Sequence, residues 1–213
     1  MTNATPASAP ANQLPFEFAP QPTQDADLLA QLPFIPGLKE LLAVRQVHAL
    51  EHATVWVLSE DPNTSEVGVA AAPRSRDNQG LGGMSTDRGF YLYGEVNAAD
   101  VRRAAHRALD RLTRGEWDLA VHPRCGTNLS VGMLLTASLA FGLTMVLPRD
   151  PLSQLLGIGV AATTASQLSP DVGIVAQRYV TTAIPFNLTI ENISPIRDMW
   201  GRPGHFVEVR WRE

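Results

Sequence analysis

Two stretches without a charged residue, 128–147 and 152–168, are separated only by Pro148-Arg149-Asp150-Pro151. In a helix the first is about 30 Å long, the thickness of a bilayer's hydrocarbon core. The second contains Ser, Thr and Gln and is shorter. In both runs small residues recur four apart, as at Ser138 and Gly142, Gly157 and Ala161, and Ala161 and Ala165. That spacing suits close helix contact in lipid. The pattern predicts a two-helix transmembrane hairpin over 128–168. A buried hairpin in a soluble α/β protein is the alternative, which an overall hydropathy near zero keeps open.

The flanking charges orient the hairpin. Arg149 is the only basic residue between the runs, whereas Arg111, Arg114 and Arg124 precede the first and Arg178 follows the second. Basic residues collect on the cytoplasmic side, so both termini are expected in the cytoplasm and the chain in the inner membrane. A single Cys rules out an intramolecular disulfide and agrees with a reduced compartment.

Outside the hairpin the chain reads as α+β. Residues 1–28 form a Pro- and Ala-rich segment expected to be disordered. Residues 29–127 form a soluble helix/strand domain. A helix up to Glu60 carries Leu41, Val44, His48, Glu51, His52 and Val55 on one stripe. A strand is expected over 66–72, a loop containing the glycines Gly80, Gly82 and Gly83 over 74–88, and a strand over 90–96. That glycine run lacks the spacing of a phosphate loop or dinucleotide fingerprint, and Asp87 and Arg88 beside it carry no further signal. Asn97 and Asp100 then cap an amphipathic helix closed by Gly115, with Arg102, Arg103, Arg107, Arg111 and Arg114 on its polar face. Residues 169–213 are expected to be strand-rich, with a β-hairpin over 187–193 and 205–211 that packs on the soluble domain. Seventeen basic residues against 21 acidic ones leave a net charge of −4, which excludes a nucleic-acid binder with a concentrated basic face.

The residues with most chemistry lie in two short segments. In His48-Ala-Leu-Glu51-His52 the two imidazoles stand four apart on one helix face, and Glu51 points to the same region. The H-x-x-E-H pattern of reversed zincins uses this layout, with the His pair as ligands and the Glu as general base on a water at the metal. In His122-Pro-Arg-Cys125-Gly-Thr127, His122 and Cys125 are three apart at the start of the first hydrophobic run. Imidazole and thiolate both suit Zn²⁺, and two ligand pairs from separate elements commonly complete a tetrahedral site. The bland alternatives are a solvated polar face for His48 and His52, a small buried hydrophobe at Cys125, and a turn-former at His122-Pro123. His106 and His205 read as structural.

The two motifs, followed by a hydrophobic run, resemble a bacterial membrane-protein family described as predicted metal-dependent enzymes. Its members show His-Gly-Ala-Glu-His and, some tens of residues later, His-Pro-Arg-Cys-Gly-Thr before a transmembrane segment. The chain is also similar to bacterial proteins known only as a domain of unknown function. The likeness spans roughly residues 46–147, with Ala49-Leu50 in place of the usual Gly-Ala. It implies metal contacts at His48, His52, His122 and Cys125, with Glu51 beside them.

The expected protein is therefore a membrane-anchored enzyme holding Zn²⁺ or another divalent metal, with Glu51 as the catalytic base of a hydrolase. Its partners are the lipid bilayer and a peptide or small-molecule substrate, with a homo-oligomer left open and no nucleic acid. Four protein ligands would fill a tetrahedral zinc, and a filled site is usually structural. That conflict keeps two alternatives in play: a membrane scaffold with a closed structural zinc, and a thiol enzyme with Cys125 as nucleophile.

Overall fold

The computed structural model describes residues 19–60 and 80–212. The expected strand over 66–72 and most of the expected disordered segment lie outside these residues.

Helix α2 (Leu38–Glu60) is the centre of the domain. Leu42, Val47, Leu50, Ala53, Thr54 and Leu58 are almost fully inaccessible, and they look out in several directions around the helix. A helix apolar nearly all round must be covered on several sides. Here α3 (Ala98–Thr113), a short 3-10 turn (Trp117–Ala120) and the sheet cover it. The expected single stripe is corrected at its start, because Leu41 is 58% exposed.

Helix α3 follows its sequence pattern. Asn97 accepts the Asp100 backbone N–H at 2.9 Å, and Gly115, at φ +109°, lies just beyond the end of the helix. Val101, Ala104, Ala105, Ala108 and Leu112 are buried, and Arg102, Arg103 and Arg107 face solvent. Arg111 turns aside to bind Glu60 at 2.6 Å and Glu116 at 2.7 Å.

The sheet contains β1 (Gly82–Thr86), β2 (Gly89–Tyr93), β3 (Leu188–Arg197) and β4 (Pro203–Trp211), all antiparallel in the order β1-β2-β4-β3. The C-terminal hairpin thus shares one sheet with the strands ahead of α3. Phe90, Leu92, Val207 and Val209 bury their side chains, with α2 and α3 packed against the sheet. Strand β1 corrects the loop expected over 74–88. Its Gly-Gly-Met-Ser-Thr sequence has little strand propensity, and only pairing with β2 across the two-residue turn Asp87-Arg88 makes it a strand.

Two further boundaries move. Helix α1 (Gln24–Gln31) begins inside the segment expected to be disordered. It is tied down by buried Asp25, whose carboxylate accepts the Gln46 amide at 2.5 Å. Helix α4 (Gly126–Val146) and helix α5 (Pro151–Ala176) form an antiparallel pair in which Gly157 meets Leu147, Gly132 meets Ser169 and Gly173 meets Asn128. Helix α5 runs past the expected end at 168, through Pro170 and Asp171, into a π turn (Gln177–Thr181). Residues 169–181 are therefore helical, not strand-rich. Among the described residues one helix, α4, is long and apolar enough to cross a membrane. The more polar α5 does not reach that level, which reduces the expected two spans to one candidate. None of α4 is buried, and Leu134, Phe141 and Met145 are each at least 65% exposed.

Candidate metal centre

His48 and His52 stand one turn apart on α2, with ring centroids 4.3 Å apart. Each ring is fixed by a backbone carbonyl. His48 Nδ1 donates to Thr181 O at 3.0 Å, and His52 Nδ1 donates to Ala120 O at 2.7 Å. A carbonyl oxygen only accepts, so Nδ1 carries a proton in both rings, and Nε2 of His48 is turned to Cys125. Such a second hydrogen bond is how metal-ligating histidines are usually oriented.

Cys125 reaches the pair from the N-cap of α4, with Sγ 3.2 Å from His48 Nε2. Burial pushes its thiol up, but the His52 ring and the Thr127 N–H, which donates to Sγ at 3.3 Å, outweigh that and hold it below its ordinary value. The ligand atoms of His48, His52 and Cys125 all lie within 4.8 Å of one another, close enough to share one ion.

His122 lies in the same pocket but outside that group. Its Nδ1 accepts the Arg124 backbone N–H at 3.3 Å, and its ring packs 4.9 Å from Trp56 and 5.6 Å from His52. Its main chain is held by Gln177, a fully buried residue of the π turn. The Gln177 amide oxygen accepts the His122 N–H at 2.8 Å, and the amide nitrogen donates to Asn128 at 2.8 Å.

Glu51 is 7% exposed and accepts a short hydrogen bond from the Ser85 hydroxyl. Burial raises its carboxyl above the ordinary carboxylate range, with Ser85 and the nearby His48 acting weakly the other way. Its other neighbour is Gly83, where a Cβ would collide with the carboxylate. Glycine there lets β1 approach the helix. His48, His52, Cys125, Glu51, His122, Leu81 and residues 82–85 of β1 line one pocket of about 500 Å³. His106 is exposed on α3 and His205 is buried in β4, both outside the ligand group.

Sequence reasoning missed Ser85, Gly83, Gln177 and Thr181. Ser85 and Gly83 fall in the segment expected to be a loop, and Gln177 lies beyond the expected end of the second run. The glycine run is the one signal for β1, since closely spaced glycines often mark close backbone approach.

The class of molecule is thus a two-layer α+β domain with a His₂Cys pocket at the foot of an apolar helix. The chain belongs to the family described as Domain of unknown function (DUF6391), which it matches over residues 43–193. It is 54% identical over 196 residues to an uncharacterized protein of Picosynechococcus sp. (strain PCC 7002), covering 92% of this chain and 93% of that protein. No solved structure matches it.

Proposed function

We propose that this protein is a membrane-anchored, metal-dependent hydrolase. In this reading His48, His52 and Cys125 hold Zn²⁺ or another divalent ion, and Glu51 is the general base. The carrying observation is the convergence of three ligand atoms within 4.8 Å beside a buried carboxylate. The donor chemistry fits zinc: two imidazoles with Nδ1–H engaged elsewhere, and a thiol held below its ordinary value. Three protein ligands with an open fourth position is the arrangement of catalytic zinc, whereas four is that of structural zinc. His122 outside the ligand group supports the catalytic reading over the closed structural site.

A bound divalent ion supplies Lewis acidity that polarises a carbonyl and acidifies water. The chain supplies the proton transfer. Glu51 takes a proton from water as the water oxygen bonds to the substrate carbonyl carbon. It returns that proton to the leaving amine as the C–N bond breaks, so one water is added overall. Burial raises its carboxyl above the ordinary carboxylate range, the direction that makes it a stronger base.

Helix α4 starts at Gly126, one residue after Cys125, and its exposed apolar surface suits lipid. With α4 inserted, accompanied by its partner α5, the pocket lies at the cytoplasmic membrane face and takes substrates presented there.

Metal analysis by mass spectrometry on untagged protein tests the reading. About one zinc per chain is expected, lost in His48→Ala, His52→Ala and Cys125→Ala and kept in Glu51→Gln. A metal-free wild type isolated without chelators refutes it. That outcome favours a thiol enzyme, for which the 3.2 Å contact of Cys125 Sγ with His48 Nε2 is the supporting observation. Electrophile labelling of Cys125, suppressed in His48→Ala, would then be expected.

A further inference from the structure

The π turn that follows α5 meets the candidate centre at several points. Thr181 O accepts the His48 Nδ1–H at 3.0 Å, the Thr181 hydroxyl meets that of Thr127 at 3.1 Å, and Gln177 holds the His122 main chain. The carbonyl that fixes the His48 ring therefore belongs to the segment leaving the apolar hairpin. A ring oriented by a carbonyl is only as well placed as the peptide unit that carries it.

Two adjacent peptide units decide that placement. In the first, between Thr181 and Thr182, the C=O faces His48 and the N–H donates to Gln177 O at 2.9 Å. In the second, between Thr182 and Ala183, Arg45 takes both groups. Arg45 Nη2 donates to Thr182 O at 3.2 Å, and the Ala183 N–H donates to Arg45 O at 3.0 Å. The same Nη2 donates to Tyr179 O at 3.3 Å. Each unit is planar, so the φ and ψ of Thr182 are the soft torsions between the unit locked by Arg45 and the unit that orients His48. Arg45 precedes His48 by three residues on α2, which puts the clamp and the ring on one helix face. His52 is a contrast, because its Nδ1–H goes to Ala120 O in the 3-10 turn after α3.

We propose that Arg45 is a positioning residue for the metal centre: it clamps the π turn so that Thr181 O holds the His48 ring with Nε2 turned to Cys125. This rests on the metal-dependent reading and adds a residue outside the ligand group to the machinery of that site. A guanidinium suits the task. The two N–H bonds of Nη2 diverge in fixed directions within one plane and reach two carbonyls at once, whereas an ammonium rotates freely. The clamp serves His48 and leaves His52 to its own carbonyl.

Two measurements on the full chain in detergent test this. With isotope-labelled histidine, exchange of the His48 Nδ1–H with water is followed by NMR in metal-free protein, the signal being assigned by its loss in His48→Ala. Arg45→Met is expected to speed this exchange by roughly tenfold or more, while the His52 Nδ1–H is unchanged. Zinc affinity, read by competition with a chelating dye, is expected to fall about 10- to 100-fold. Arg45→Lys keeps the charge without the planar group. It should lie between wild type and Arg45→Met in both measurements, and it decides the matter if Arg45→Met does not fold. Arg111→Met removes an arginine bound to Glu60 and Glu116, and as the comparison for general destabilisation it should change neither.

Unchanged His48 exchange in the Arg45 variants overturns the proposal. Equally faster exchange at His52, or in Arg111→Met, also overturns it, because general loosening would then be the cause. Zinc bound as tightly by the Arg45 variants as by the wild type overturns it and leaves the metal reading intact. A wild type without zinc refutes the metal reading, and His48 exchange then decides by itself whether Arg45 orients the ring.

Discussion

Gly83→Ala is the substitution that best tests the contact between β1 and Glu51. A Cβ at this position would lie 2.6 Å from Glu51 Cδ and 2.9 Å from Cγ, where ordinary contact begins near 3.4 Å. Rotating the carboxylate does not relieve this, because Cγ is also too close. The side chain must retreat, Cδ by about 0.8 Å, and in doing so it strains or breaks its hydrogen bond from Ser85. Overpacking of this size costs about 1–3 kcal/mol. Nothing lies within 4 Å of a Cβ at Gly82, next in the strand. Gly82→Ala should therefore stabilise slightly, by about 0.4–1 kcal/mol, through the unfolded state alone. A double-mutant cycle by chemical denaturation in detergent isolates the contact. In the Glu51→Ala background the obstruction is gone, and Gly83→Ala should change from costly to neutral or mildly stabilising. An equal cost in both backgrounds would refute the placement of β1 against Glu51 and remove the basis for reading Ser85 as its positioning partner.

Three other outcomes are expected. His122→Ala should retain its zinc in mass spectrometry while losing about 2–4 kcal/mol of stability, since a buried ring packed on Trp56 is removed; loss of the metal would return His122 to the ligand set. Gln177→Leu should lower denaturation stability by about 2–4 kcal/mol, because the His122 N–H and Asn128 Oδ1 both lose their hydrogen bond to Gln177. The third concerns pH in metal-free protein. Burial raises the Glu51 carboxyl above its ordinary 4.5, so the folded state holds that proton more tightly than the unfolded chain. Its stabilisation is full below 4.5 and is lost as pH rises through the folded value. A pH series of melting temperatures should show Glu51→Gln gaining on the wild type across that rise, and parallel curves would contradict it.

Features that depend only on neighbouring residues are legible in the amino-acid sequence. Helix α3 can be read end to end, from the Asn97 cap to Gly115, because capping and the 3.6-residue period involve neighbours only. The shared face of His48, Glu51 and His52 follows from the same geometry, and the apolar length of α4 needs only a count of residues. Helix α5 is legible only in part: its run of uncharged residues stops at Asp171, whereas the helix continues because it is packed against α4.

Strand β1 carries no alternation of apolar and polar residues, so nothing in Gly-Gly-Met-Ser-Thr distinguishes it from a loop. Its identity comes from β2, and its role from Glu51, 34 residues away from Ser85 in the chain. Cys125 and His122 are equal candidates in the sequence, three residues apart on one short segment. The fold brings Cys125 to His48 across 77 residues of separation and turns the His122 ring towards Trp56. Sequence by itself determined α2, α3 and α4 and which side chains share a helical face, since those follow from backbone geometry over a few residues. Which three candidate ligands converge, and which carboxylate and strand they meet, depended on long-range packing that no local periodicity encodes.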